Sequence, residues 1–91
     1  MRLDKFLKLS RVIKRRTVAK EIADQGRITI NGNKAKSSSN VNVNDKLVIS
    51  FGNKTLTIQV LNLMEIVKKD DADKMYKVIN EAYARDFNAE L

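Results

Sequence analysis

Three consecutive cations, Lys14-Arg15-Arg16, stand immediately before a segment whose apolar residues recur at helical spacing. A helix start carries roughly +0.5 charge, so each neighbouring cation costs about 0.3–1 kcal/mol at low salt, and the three also repel one another. Stability alone favours Asp or Glu there. A phosphate removes the conflict, because guanidinium groups and free backbone N–H groups attract it together. The alternative is that three long side chains fan into water at little cost. Lys34 and Lys36 downstream, with Arg2, Lys5 and Arg11 upstream, weigh against that alternative. The chemistry expected is charge-assisted binding of phosphates, with Asp4 pairing with and orienting a neighbouring cation.

Covalent catalysis has little to work with. The chain has no histidine and no cysteine, which excludes Ser-His-Asp chemistry, thiol nucleophiles, disulfides and zinc ribbons. No glycine-rich phosphate loop is present, and Asp70, Asp71 and Asp73 lack the spacing of a calcium loop, so they suit a helix start instead. Neither a metal nor a cofactor is expected. Ninety-one residues make one domain with a thin core. No apolar run approaches the roughly 18–20 residues of a membrane span, and Lys5, Lys8 and Arg11 interrupt any signal-like stretch, so a cytoplasmic binding module is expected.

The net charge of +7 is unevenly placed. Residues 1–36 hold eleven Lys/Arg against three acids, whereas residues 37–91 hold seven against eight. Evenly spread lysines would mean solubility; this asymmetry means a binding face for a polyanion.

The elements that must carry this face follow from periodicity. Leu3, Phe6, Leu7 and Ser10 share one stripe of a short helix. Thr17 is expected to cap a second helix with Val18, Ala19, Ile22 and Ala23 as its apolar face, ended by Gly26. Arg27–Ile30 and about Asn33–Lys36 form strands around Asn31-Gly32, a strong two-residue hairpin signal. Lys46–Phe51 and Thr55–Val60 are two further strands around Gly52-Asn53. Met75, Val78, Ile79, Ala82 and Tyr83 make a helical stripe, so a final helix is expected over Asp70–Phe87. Phe6, Tyr76, Tyr83 and Phe87 are expected to pack in the core rather than stack on bases.

The order Arg2-Leu3-Asp4-Lys5-Phe6-Leu7, Arg11, Arg15-Arg16-Thr17, Ala19-Lys20, Gly26-Arg27-Ile28, Asn31-Gly32, Lys36 and Asn44-Asp45 resembles the RNA-binding domain first named for small-subunit ribosomal protein four. The match covers roughly residues 1–50, with Asn44 where that family commonly has Gly. As a stand-alone domain with a short tail, the chain looks most like the heat-shock protein fifteen branch, and closer still to the small ribosome-associated quality-control factors of the factor P type. The resemblance implies an α+β fold: two N-terminal helices packed on a small, mostly antiparallel sheet (the alpha-L motif), plus a C-terminal helix. It divides the chain into an RNA-binding domain over 1–64 and a C-terminal helical extension over 65–91 packed on it.

The resemblance also implies a role and partners. The role is to bind obstructed large ribosomal subunits through rRNA and peptidyl-tRNA, holding the tRNA in the peptidyl site. A partner of the NFACT family adds a C-terminal alanine tail meanwhile. By position, Arg2, Asp4 and Lys5 begin the first helix of the motif, Arg11, Arg15, Arg16 and Lys20 belong to its basic loop and second helix, and Asn31, Gly32 and Lys36 to its hairpin. Lys14 and Thr17 join this set, Lys34 and Lys36 form its far rim, and Asn31-Gly32 brings backbone close to RNA. A cytoplasmic, ribosome-associated, non-enzymatic monomer is expected. The alternatives are a related rRNA-binding factor that recycles or assembles large subunits, or a DNA-binding regulator of winged helix-turn-helix shape.

Overall fold

Leu3, Phe6 and Leu7 are fully buried, and this apolar stripe defines helix α1 (Leu3–Leu9). The computed structural model describes residues 1–65 and 67–83. No side chain caps α1; its first N–H groups donate instead to loop carbonyls, Leu3 to Ser39 (2.8 Å) and Asp4 to Ser37 (3.1 Å). Ser10, also buried, donates its hydroxyl to the Leu7 carbonyl.

Helix α2 spans Arg16–Asp24 with Arg15 at the N-cap position. Thr17 is therefore the second helical residue and not the cap, a correction to the expectation above. Its buried seam is narrow, Ala19 and Ala23 one turn apart, with Ile22 half-buried and Val18 39% exposed. Small residues let the helix lie close to the layer beneath it.

Five antiparallel strands form one sheet in the order β2-β1-β3-β4-β5. They are β1 (Ile28–Ile30), β2 (Asn33–Lys34), β3 (Lys46–Ser50), β4 (Lys54–Val60) and β5 (Tyr76–Tyr83). Asn31 (φ 52°) and Gly32 (φ 89°) make the tight reversal between β1 and β2, where both central residues need positive φ. Alternation then builds the core. Ile28, Leu47, Ile49, Leu56, Ile58 and Val60 point to one face, while Thr29, Val48, Thr55, Thr57 and Gln59 point to the other. Val41 and Met75 complete the buried layer together with α1 and α2.

The final helix expected over Asp70–Phe87 is not what forms. A short 3-10 helix (Lys69–Lys74) precedes strand β5, and residues 84–87 of that expectation lie outside the described residues. Tyr76, Val78, Ile79 and Tyr83 are aromatic or β-branched, types that suit a pleated surface, and β4 otherwise leaves a seven-residue edge of unpaired amides. A register shift lets Ile58 pair with Val78 and Thr57 with Asn80, leaving Ile79 as an extra residue. Phe6 is buried as expected and Tyr76 is half-buried, but Tyr83 is 63% exposed, and Phe87 lies outside the described residues.

Candidate nucleic-acid interface

Asp4 is the one buried acid of the described residues, and it gathers two guanidinium groups. Arg2 forks onto it, Nε to Oδ1 at 3.2 Å and Nη2 to Oδ2 at 3.3 Å. Arg16, at the start of α2, donates Nη2 to Oδ1 at 3.4 Å, and the Lys5 N–H donates to the same oxygen at 2.8 Å. Burial alone would raise the Asp4 pKa. The bonds from Arg2, Arg16 and the Lys5 N–H, with the charge of Arg16, outweigh it and hold the carboxyl below its ordinary value of 3.8.

This arrangement orients the cations without consuming them. A guanidinium carries five N–H donors; Arg2 commits two to Asp4 and Arg16 one. Their side chains remain 50% and 48% exposed. Beside them, α2 begins with no side-chain cap and no acid in its first turn. The positive end of the helix thus meets Lys14, Arg15 and Arg16, all exposed, with no ion pair to Lys14 or Arg15 among the described residues. Fixed N–H donors, a dipole end and anchored guanidiniums suit a phosphate.

The other cations divide. Lys36 lies one residue from Ser37, whose carbonyl accepts the Asp4 N–H and whose own N–H donates to Asp24 Oδ1 at 3.1 Å, holding that carboxyl below its usual range. Lys36 is therefore next to the Asp4 cluster. Lys34 is not: its ammonium lies over Gly26, 3.6 Å from where a Cβ would stand, at the opposite end of α2. Nine helical residues span about 13 Å, so Lys34 complements the helix C-terminus and stands apart from Arg15 and Arg16. Lys5 pairs with Glu65, whose carboxyl it holds below its usual range. Lys20 and Arg11 are exposed.

Asn31 has a second job that its turn propensity did not reveal. Its Nδ2 donates to Asp45 Oδ1 (3.0 Å) and its Oδ1 accepts from the Lys46 N–H (2.9 Å), while Asp45 Oδ2 accepts from the Asn42 N–H (2.8 Å). This latch ties the β1–β2 turn to the loop before β3. Gly32, by contrast, has open space around it.

Because the folded pKa of Asp4 lies below the unfolded one, its stabilisation is complete above about pH 4 and is lost as pH falls through the folded value. The denaturation midpoint should fall as pH is lowered from about 5 to about 3, and an Asp4→Asn variant should lose part of that dependence. Parallel curves for the two proteins would mean that Asp4 titrates as a solvated group.

Residues 1–47 match the family model described as the S4 domain. The "RQC P-site tRNA stabilizing factor" of Bacillus subtilis (strain 168) is 59% identical over 81 residues, covering 89% of this chain and 94% of that protein. Heat shock protein 15 of Escherichia coli (strain K12) is 31% identical over 98 residues, covering 98% of this chain and 74% of its own length. Among solved structures, the trimeric structure of Vibrio cholerae heat shock protein 15 superposes with a TM-score of 0.78 at 26% identity, covering 86% of this chain and 80% of that one.

Proposed function

The chain belongs to the S4 domain family, within the group that holds the RQC P-site tRNA stabilizing factors, and on that premise we propose that it stabilises tRNA in the P site during ribosome-associated quality control. The observation that carries this reading is the 59% identity that runs through nearly the whole of both chains. The chain acts by binding and performs no chemistry. It works as a cytoplasmic monomer on obstructed large subunits, through rRNA and peptidyl-tRNA, while an NFACT-family partner adds the alanine tail. Residues 1–64 carry the RNA contacts.

In this reading Arg2, Lys14, Arg15, Arg16 and Lys36 hold phosphates around the start of α2. Lys5 and Lys20 flank them, Lys34 extends the basic surface from the far end of α2, and the open Gly32 turn lets the backbone approach. RNA helices hide their base edges in a deep groove, so recognition rests on shape and phosphate position. The DNA-reading alternative has less support. A recognition helix needs exposed base-reading side chains, and beyond its first turn α2 exposes Lys20, Glu21 and Asp24, a mixed set with Asp24 engaged by Ser37.

Sucrose-gradient fractionation tests the proposal directly: the protein should travel with free large subunits that retain tRNA. Its absence from every ribosomal fraction would sink the idea. Five phosphate contacts should give a slope of log K against log salt of about −3.5 to −4.5, at roughly 0.7–0.9 per contact. A slope near about −1 would leave at most one such contact and contradict the electrostatic clamp.

A further inference from the structure

Both helices are followed by a left-handed residue, but of different types. In α2 the residue after the C-cap is Gly26, at φ 78°; its N–H donates to the Ala23 carbonyl at 3.0 Å and the Arg27 N–H to Ile22 at 3.2 Å. In α1 the corresponding residue is Arg11, at φ 63°, with its N–H on the Lys8 carbonyl at 3.1 Å; the bond back to Leu7 comes one residue later than in α2, from the Ile13 N–H at 3.1 Å. Glycine is the common choice for this left-handed position because it has no Cβ to crowd the following carbonyl. Six residues of the described chain have positive φ; three are Gly, two are Asn, and Arg11 is the sixth. Asn tolerates the conformation through its short polar side chain, a recourse that Arg lacks.

Nothing in the fold calls for the arginine. Its bonds at this corner are made by its backbone and would survive as glycine. The side chain is exposed, with no hydrogen bond or ion pair to any described residue. Buried Ser10 and Ile13 hold the corner on both sides, so the guanidinium issues from a fixed point three residues before Lys14. Strain held in place by packing and serving no internal contact is characteristic of functional positions.

We propose that Arg11 is a phosphate-binding residue whose strained backbone position lowers the stability of the free domain, so that fold and RNA affinity are in opposition at this one site. The inference rests on the RNA-binding reading above. Arg11→Gly should raise the melting midpoint by about 4 °C, the scale expected when a strain of this size is relieved in a domain of under 100 residues. The same variant should bind purified large subunits carrying peptidyl-tRNA about five- to tenfold more weakly, with a salt slope shallower by about 0.7–0.9. Arg11→Lys should recover most of the affinity and none of the melting gain.

A higher midpoint with unchanged affinity would overturn the proposal, as would a lower midpoint. Arg16→Gln, measured alongside, separates the two levels of inference. If Arg16→Gln weakens binding and Arg11→Gly does not, only the role of Arg11 fails. If neither variant changes binding, the RNA surface itself is misassigned and both fall.

Discussion

Asp4→Asn should weaken binding to large subunits by about tenfold, although the substitution makes the protein more positive by one unit. A surface working only by total charge would bind more tightly once an acid is removed. A surface working by orientation would not. The carboxylate fixes Arg2 through two bonds and Arg16 through one, and charge-assisted bonds of this kind contribute about 1.5–3 kcal/mol each when well aligned. An amide keeps the shape but offers one acceptor oxygen and adds N–H donors that face the guanidiniums. Both arginines are about half exposed and can rehydrate, so the fold should lose only about 1–2 kcal/mol. Isothermal titration or filter binding of Asp4→Asn against wild type decides the sign. Tighter binding would reject preorganisation.

Arg16→Gln should cost more in binding than in folding. Arg16 stands where three attractions for a phosphate converge: its own charge, the uncapped first turn of α2, and the Arg2 fork shared through Asp4. Loss of one charge-assisted contact there corresponds to about 1.4–2.8 kcal/mol, or ten- to a hundredfold in affinity. Its bond to Asp4, at 3.4 Å, is the longest of the four that the carboxylate accepts. The melting midpoint should therefore move by a few degrees at most. Matched losses of folding and binding would make Arg16 a structural tie between α1 and α2.

The parts of this fold legible in the sequence are those governed by near neighbours. The α1 stripe, the Asn31-Gly32 reversal and the alternation in β3 and β4 follow from local periodicity and turn chemistry, and each forms close to where it is read. The misplaced parts are governed by distant partners. Tyr76–Tyr83 has a spacing that fits a helix, but the open edge of β4 selects the strand, with Ile79 bulged out of the ladder. Thr17 has the right chemistry for a cap, yet Arg15 takes that place and the helix starts earlier, at Arg16, which is bonded back to Asp4.

The binding site shows the same division. The cation cluster before α2 could be read from its conflict with the helix dipole. That Lys34 belongs to the far end of α2, that Lys5 meets Glu65 sixty residues away, and that Asn31 latches onto Asp45 could not, because no local pattern encodes them. Asp4 lay between: its pairing with a cation was readable from proximity, its near-complete burial and its second guanidinium were not.

The serine loop that receives the first amides of α1 also stitches the chain's beginning to its middle. Met1 accepts from Val41 and Leu3 donates to Ser39, so the opening turn of the protein is completed by residues some forty positions along the chain, beyond the β1–β2 hairpin. The anchored arginines are thus tied, through that seam, to the strands that follow. Severing that seam, by cutting the chain between the hairpin and Val41, should therefore loosen the Arg2 and Arg16 anchor even though neither arginine is touched.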